Sequence, residues 1–336
     1  HLFFVAIDKQ PPPRAQLEQH LQPLTRDKQR LLDAWPVHMP GLHALSLDDE
    51  SGQVTLLLCH GDVADVMPSL VMQVDAVYLH ADRVDDGLVS RLGRLAAPGC
   101  TVAASHAGIN TQAALTQAGF VVTTPADAGG STDTLLARFE PRHTPALPPG
   151  GYRPAPPLAD RHALIIGAGL AGCVATWALC RAGWRVTLLD RQAQPAQEAS
   201  GNPGGMFHAI VHGEDGIHAR AHRAAALALV HAVQPWIDDG LLAGQLQGLL
   251  RLDPKTTHAE AQALISKLAL PDDYVQWLDQ ADAADVAGMP VNSGGWLFKQ
   301  AGWLHPAGLA RALLDEAQTW AQRHGQSLTL KFGQAV

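Results

Sequence analysis

The sequence predicts an α/β chain of two domains in which strands alternate with helices. Three observations carry that reading. Apolar runs of strand length alternate with amphipathic runs across 1–140, a proline-rich break follows at 141–160, and a Gly-x-Gly-x-x-Gly pattern stands just beyond it between an apolar run and a helical one. The length agrees: 336 residues, at about 150 per domain, provide for about two cores.

In the first domain, Phe3–Ile7, Val54–Cys59, Ala76–Leu79, Thr101–Ala104 and Phe120–Val122 read as strands, and Arg26–Trp35, Leu88–Ala96 and Thr111–Ala118 as helices. Ala97-Pro98-Gly99 and Ala118-Gly119 supply turns. This alternation predicts a parallel sheet with helices on both faces, and Thr134–Phe139 as a last, antiparallel edge strand. Asp8 ends the first strand and Asp62 follows a later one. Acids at the carboxyl ends of strands in such sheets take ribose hydroxyls or a base amine, although helix N-caps and turns use the same residues. Seven prolines crowd the stretch from 141 to 160, and proline fixes φ and removes donors. That stretch is read as a semi-extended linker between domains 1–140 and 161–336.

Beyond the linker, Ala163–Ile166 is a buried strand leading into Gly167-Ala168-Gly169-Leu170-Ala171-Gly172. A helix, Cys173 to Arg181, and a second strand, Arg185–Leu189, follow. The strand ends at Asp190, where such a motif places an acid roughly 20 residues on from its glycines. A glycine triplet alone is a weak signal, and a glycine-rich turn without a ligand is its plain alternative. The full strand–turn–helix–strand–acid context makes it a dinucleotide fingerprint. Gly167 permits the tight turn, Gly169 lets a pyrophosphate reach the backbone, and Gly172 lets helix and strand pack closely. The pyrophosphate then sits at the positive helix end, with Asp190 on the ribose. The fingerprint does not separate NAD from FAD. A second glycine-rich loop, Glu198 to His208, follows the acid so closely that it favours a flavin over its other reading, a surface loop.

Composition narrows the classes. Charged residues are 17% and apolar ones 47%, with 24 Lys+Arg against 32 Asp+Glu, so an acidic disordered tail and a histone-like basic binder are both excluded. Cys59, Cys100, Cys173 and Cys180 have no Cys-x-x-Cys spacing, which argues for reduced thiols rather than a zinc ribbon or disulfide framework. Ala163–Cys180 carries no formal charge and is just long enough to span a bilayer, but its glycines make it strand, turn and buried helix, not a membrane span. The chain opens inside the apolar run Leu2–Ile7 and closes inside Leu328–Phe332, from which we expect a fragment of a longer protein.

The run Ile165–Arg191, followed by Glu198–Gly205, resembles the bifunctional tRNA 5-methylaminomethyl-2-thiouridine biosynthesis (MnmC) family. Gly302-Trp303-Leu304-His305-Pro306 before a helix at Ala307–Ala317 is a third match, and Ile7-Asp8-Lys9, Gly61-Asp62-Val63 and Val74–Leu79 extend the likeness into the first domain. The resemblance implies a partial Rossmann-like methyltransferase domain followed by the first part of an FAD-binding, amine-oxidase-like Rossmann-type domain. It implies oxidative removal of the carboxymethyl group from 5-carboxymethylaminomethyluridine of tRNA, then S-adenosylmethionine-dependent methylation of the amine, in the cytoplasm. By motif, Gly167, Gly169, Gly172 and Asp190 would hold the ADP half of FAD, Ser200, Gly201, Asn202 and Gly205 would line the flavin, and Asp8 and Asp62 would hold S-adenosylmethionine. Hydride transfer to the flavin and hydrolysis of the imine to glyoxylate demand no acid–base dyad, so no catalytic residue is assigned. No metal and no membrane are expected.

The likeness breaks after the fourth strand. Where the family carries Asp-Gly-Phe-Ala-Pro and then Asn-Pro-Asp-Met-Trp, this chain has His80-Ala81-Asp82-Arg83-Val84 and a shorter loop, and Ala128–Thr132 replaces a basic glycine-rich stretch. A degenerate methyltransferase domain is therefore expected. A small-molecule amine oxidase and a binding-only relative stay open, the former because the net charge is −8. His208 with His212 and His218 with His222 have helical metal-pair spacing but no third ligand. Trp236, Trp277 and Trp320 read as core residues of amphipathic helical runs.

Overall fold

A computed structural model describes residues 2–47, 54–80, 85–123, 134–141 and 161–334. The linker beyond Pro141, the loop after His80 at 81–84, and Ala128–Thr132 lie outside the described residues. The chain packs as two units: residues 1–6, 10–60 and 157–336 form one, and residues 7–9 and 61–156 the other.

The first unit begins with β1 (Leu2–Asp8), α1 (Arg14–His20), α2 (Arg26–Ala34), β2 (Gly41–Ser46) and β3 (Val54–His60), whose strands order as β1-β3-β2. Thr25 caps α2 by accepting the Lys28 N–H. β2 was not expected from the sequence. It alternates around buried His43 and Leu45 and pairs antiparallel with β3, His43 opposite Leu58. The second unit holds α3 (Val63–Val66), β4 (Val74–His80), α4 (Asp86–Val89), β5 (Ala96–Ser105), α5 (Ile109–Gln117), β6 (Phe120–Thr123) and β7 (Leu135–Phe139), in the sheet order β4-β5-β7-β6.

The rest of the first unit is built on the glycine motif. β8 (His162–Ile166), α6 (Leu170–Arg181) and β9 (Arg185–Leu189) form a parallel strand–helix–strand. Beyond them lie β10 (Gly205–Phe207), α7 (Ile217–Asp238), β11 (Gly244–Gln245), β12 (Leu249–Leu252), α8 (His258–Lys267), β13 (Val275–Leu278), α9 (Gln280–Ala287), β14 (Gly295–Phe298), β15 (Gly302–Leu304), α10 (Pro306–Arg323) and β16 (Leu328–Lys331). β16 joins β9 in parallel, giving the order β16-β9-β8. Val186 and Leu188 of the central strand are fully buried, under a core that includes Cys173, Leu304, Ala310 and Leu314. α10 starts sharply because Pro306 occupies its first position and the His305 Nδ1 accepts the Gly308 N–H at 3.0 Å. Two antiparallel sheets, β10-β15-β11 and β12-β14-β13, complete the unit. Residues 10–60 pack with this part of the chain. Met39, 1% exposed, enters one core with Ala226, Tyr274 and Phe298, beside a contact of β2 with α7.

Five expectations need correction. Among the described residues the early strands form no single parallel sheet: β2 runs antiparallel to β3, and only β4 and β5 pair in parallel in the second unit. β7 is antiparallel as expected but sits between β5 and β6, leaving β6 at the edge. It is buried on alternate residues, Leu135, Ala137 and Phe139, and such alternation fits a central strand as readily as an edge one. Leu88–Ala96 is not one helix. It breaks into α4 and a short 3-10 turn at Leu92–Arg94, where the Arg94 guanidinium donates to the carbonyls of Leu70 and Met67. Trp277 lies on β13, edge-to-face with Trp296 at 5.2 Å, so its burial has period two rather than 3.6. β8 is not a buried strand, since Leu164 and Ile166 are 59% and 64% exposed. Of the histidine pairs, His208 and His212 lie in irregular chain, and His218 and His222 share α7 with ring centroids 4.4 Å apart. No cluster of three metal-ligating side chains exists among the described residues.

Candidate dinucleotide site

The turn between β8 and α6 owes its shape to its glycines. Gly167 has φ +98°, a conformation that L side chains rarely adopt, and its N–H donates to the Leu189 carbonyl at 2.8 Å. Gly172 faces back on that residue: a Cβ there would lie 1.9 Å from the Gly167 carbonyl oxygen. Gly169, the extended N-cap of α6, is different. A Cβ on it would meet only the Ser200 Oγ, at 3.4 Å, and one on Gly167 would meet nothing within 4 Å. Thus one glycine packs the helix onto the turn, and two leave open space beside the helix N-terminus. A pyrophosphate needs that cradle, because free N–H groups and the helix dipole face it there.

Asp190 binds the turn from the end of β9. One carboxylate oxygen accepts the Ala168 N–H at 2.5 Å and the other the Gln192 N–H at 2.7 Å. Each oxygen keeps a lone pair for a ribose hydroxyl. The loop after Asp190 is tied to the same turn. Ala196, at φ +58° and buried, donates its N–H to the Ala168 carbonyl at 2.9 Å, and the Ser200 Oγ accepts the Leu170 N–H at 3.2 Å. Hydrogen bonds from Gln192 at 2.6 Å and then Arg191 at 3.0 Å close that loop on Glu198 and hold its carboxyl below its usual pKa. Sequence reasoning missed Ala196 and this clamp, since neither left-handed backbone at an alanine nor a loop ion pair has a sequence signature.

The second glycine-rich loop continues from this clamp. Gly201 is close to backbone, its would-be Cβ 2.8 Å from the Ala196 carbonyl oxygen, and the Asn202 amide donates to the Ala199 carbonyl at 3.3 Å. Gly205 opens β10, paired with Leu304 of β15. Cys173 also sits at the turn, but burial pushes its thiol up to about 11, so it is an inert core group.

In the second unit, Asp8 ends β1, its carbonyl accepting the Gly61 N–H at 2.9 Å. Asp62 is the N-cap of α3. It accepts the Ala64 N–H at 2.9 Å and pairs with the Lys9 ammonium at 3.0 Å; the backbone bond first, and then Lys9, lower its pKa. His80 ends β4, its Nδ1 3.1 Å from the Ser105 Oγ at the end of β5. None of these residues lines the open recess over the face of this unit's sheet, which is bounded by Tyr78, Thr101, Val121, Leu136 and Arg138.

A parallel strand–helix–strand closed by three glycines, with an acid on the second strand, defines a dinucleotide-binding α/β protein. A family model described as FAD dependent oxidoreductase matches residues 162–321, and one described as S-adenosyl-L-methionine-dependent methyltransferase matches residues 22–140. The tRNA 5-methylaminomethyl-2-thiouridine biosynthesis bifunctional protein MnmC of Methylibium petroleiphilum is 44% identical over 322 residues, covering 93% of this chain and 49% of that protein. Its counterpart from Cupriavidus metallidurans is 36% identical over 345 residues, covering 94% and 48%. The chain is similar to MnmC proteins along most of its own length and spans about half the length of the curated relatives it matches. Among solved structures, glycine oxidase from Bacillus cereus aligns over 52% of this chain and 46% of its own at 14% identity, with a TM-score of 0.38. No helix among the described residues is long and apolar enough to cross a membrane.

Proposed function

We propose that the chain is part of a tRNA wobble-uridine modifying enzyme. In this reading an FAD-dependent module, residues 161–336, removes the carboxymethyl group from 5-carboxymethylaminomethyl(-2-thio)uridine. A methyltransferase-type module, residues 1–140, precedes it across the proline-rich linker 141–160, and the enzyme works in the cytoplasm. The observation that carries the reading is the 44% identity to the Methylibium protein, which runs through both modules.

The residues present fit FAD at the ADP end: two uncrowded glycines, a helix N-terminus and a carboxylate with spare lone pairs stand together. The uncrowded backbone at Gly167 and Gly169 and the N-terminus of α6 would receive the pyrophosphate, Asp190 the ribose, and the Ser200–Gly205 segment would run beside the ring. FAD supplies the two-electron oxidation when bound. The chain's own part is to orient the amine and keep bulk water off the reacting bond.

A second reading concerns the methyltransferase module. His80, at the strand end, replaces a family aspartate and is held on Ser105. With Asp62 engaged by Lys9 and Ala64, we propose that this module binds S-adenosylmethionine through Asp8 and Asp62 but transfers methyl groups poorly or not at all.

The test is a visible spectrum of the full-length protein, repeated anaerobically with tRNA bearing 5-carboxymethylaminomethyluridine. The expected result is a yellow protein that bleaches with that tRNA. Bleaching only with free amines would move the assignment to a small-molecule oxidase, and a protein that stays colourless with added FAD would overturn it. Methyl transfer from labelled S-adenosylmethionine to aminomethyluridine tRNA, at a rate comparable to that of oxidation, would refute the second reading.

A further inference from the structure

The sheet β10-β15-β11 presents a row of side chains that the dinucleotide site does not use. Met206 and Trp303 are direct cross-strand partners, and Gln245 is the partner of Trp303 on its other side. Direct partners in an antiparallel sheet project to the same face. Among the described residues that face is uncovered: Met206 is 79% exposed and Trp303 40%. The opposite face carries Phe207 and Leu304 into the core, and Gly302 and Gly244 leave no room for a Cβ against the neighbouring strand backbone. The row is therefore fixed in its outward position by the packing beneath it.

Its chemistry is specific. The Trp303 Nε1–H donates to the Gln245 Oε1 at 3.5 Å, and the Gln245 amide donates to the Gln247 Oε1 at 3.3 Å. The carboxamide is thus oriented and retains one N–H and one lone pair. That remainder matches an imide edge, which offers a carbonyl and an N–H side by side. The indole supplies a flat face and the Met206 thioether a polarisable edge. The row also continues the glycine-rich loop: a Cβ on Gly204 would lie 3.8 Å from the Trp303 ring. Met206 stands six positions beyond Ser200, which touches the first turn of α6, a reach of at most about 20 Å.

We propose that Met206, Trp303 and Gln245 form the platform on which the uracil ring of a single-stranded RNA substrate stacks, with Gln245 reading its imide edge. The proposal rests on the tRNA reading above and names the residues that would select uridine. Bases unstacked from RNA are bound in this way, by an aromatic face for affinity and an amide for identity.

The test uses full-length protein with FAD and an anticodon stem-loop RNA carrying 5-carboxymethylaminomethyluridine, read by fluorescence anisotropy, and the same RNA with an abasic wobble position. Trp303→Ala is expected to weaken the modified RNA about tenfold or more, and Trp303→Phe by about threefold or less. Gln245→Ala is expected to abolish the preference for that RNA over one methylated at uracil N3. Abasic RNA should bind all variants alike, and FAD titrated by visible absorbance should bind each as it binds wild type. Equal RNA affinity of wild type and Trp303→Ala overturns the proposal and leaves the tRNA reading standing. A wild-type protein that holds FAD but binds no RNA overturns both. If Trp303→Ala instead weakens FAD and brightens bound-flavin fluorescence, the stacked ring is the isoalloxazine and the proposal is wrong.

Discussion

Replacing Gly172 by alanine asks whether the glycine turn is built by packing or is merely tolerant of it. A Cβ at 172 would stand 1.9 Å from the Gly167 carbonyl oxygen, far inside the 3.0 Å that Cβ contacts essentially never breach. The obstacle is backbone, and that carbonyl belongs to a residue whose N–H is bound to Leu189. Either α6 moves off β8 or the turn opens. Overpacking of this kind costs about 1–3 kcal/mol or more. At about 2–4 °C per kcal/mol for a unit of this size, the melting temperature should fall by about 2–12 °C. Opening the turn also displaces the N–H groups meant for the pyrophosphate, so FAD affinity should drop at least about tenfold, or about 1.4 kcal/mol. Two controls share the substitution. Gly167→Ala meets open space but keeps φ +98°, a strain of about 1–3 kcal/mol. Gly204→Ala meets only ordinary contact with Trp303 at 3.8 Å. Thermal melts should place Gly172→Ala worst and Gly204→Ala close to wild type, and FAD titrations should show Gly172→Ala weaker than wild type. If Gly172→Ala melts and binds FAD like Gly204→Ala, the close approach of helix and turn is not what shapes this site.

Three other outcomes are expected. Asp190→Asn keeps only one carbonyl oxygen for the two N–H groups of Ala168 and Gln192, so it should cost about 1.5–3 kcal/mol in urea unfolding and weaken FAD; unchanged values would remove Asp190 from the turn. The ion pair of Arg223 with Asp215 is asymmetric, the two side chains being 5% and 27% exposed. Asp215→Asn should therefore cost about 3–5 kcal/mol by leaving a buried guanidinium uncompensated, and Arg223→Met less, since the carboxylate still reaches water; the reverse order in denaturant midpoints would contradict this. His43, whose pKa burial lowers, is neutral when folded and takes up a proton on unfolding, so stability should hold above its ordinary value of 6.5 and be lost as pH falls below it. Midpoints measured from pH 8 to pH 5 should show that slope, and His43→Gln should flatten it.

What could be read from the sequence follows the range of the forces involved. The glycine turn is local: Gly167, Gly169 and Gly172 act through backbone conformation and close contacts inside one short motif, so their spacing alone announces them. The first domain contains comparable strands but does not announce their partners. Val54–His60 and Val74–His80 are recognisable as strands, yet antiparallel pairing with Gly41–Ser46 and the insertion of Leu135–Phe139 beside β5 are decided by nonlocal contacts. β2 escapes notice because histidine at its buried position 43 breaks an alternation that the imidazole, hydrogen-bonded to the Met39 carbonyl at 3.0 Å, in fact satisfies. Trp277 suggests the wrong period because Asp272, Asp273 and Asp279 around it imitate the polar face of a helix, while Val275 and Trp277 are buried two apart.

The same distinction separates the two halves of the candidate chemistry. On the oxidoreductase side, the glycines of the turn act through backbone that they leave bare, which is what a dinucleotide site requires. On the methyltransferase side, the named acids depend on side-chain function, and side chains are easily taken for other duties. Asp62 spends its carboxylate on a helix cap and on Lys9, and His80 leans on Ser105. On the proposed reading the two modules should separate under mutation. Asp62→Ala should deprive α3 of its cap and lower the melting temperature slightly, without altering anaerobic flavin bleaching by tRNA. Loss of bleaching in that variant would mean that the modules share a catalytic path, and that the first is not a passive remnant.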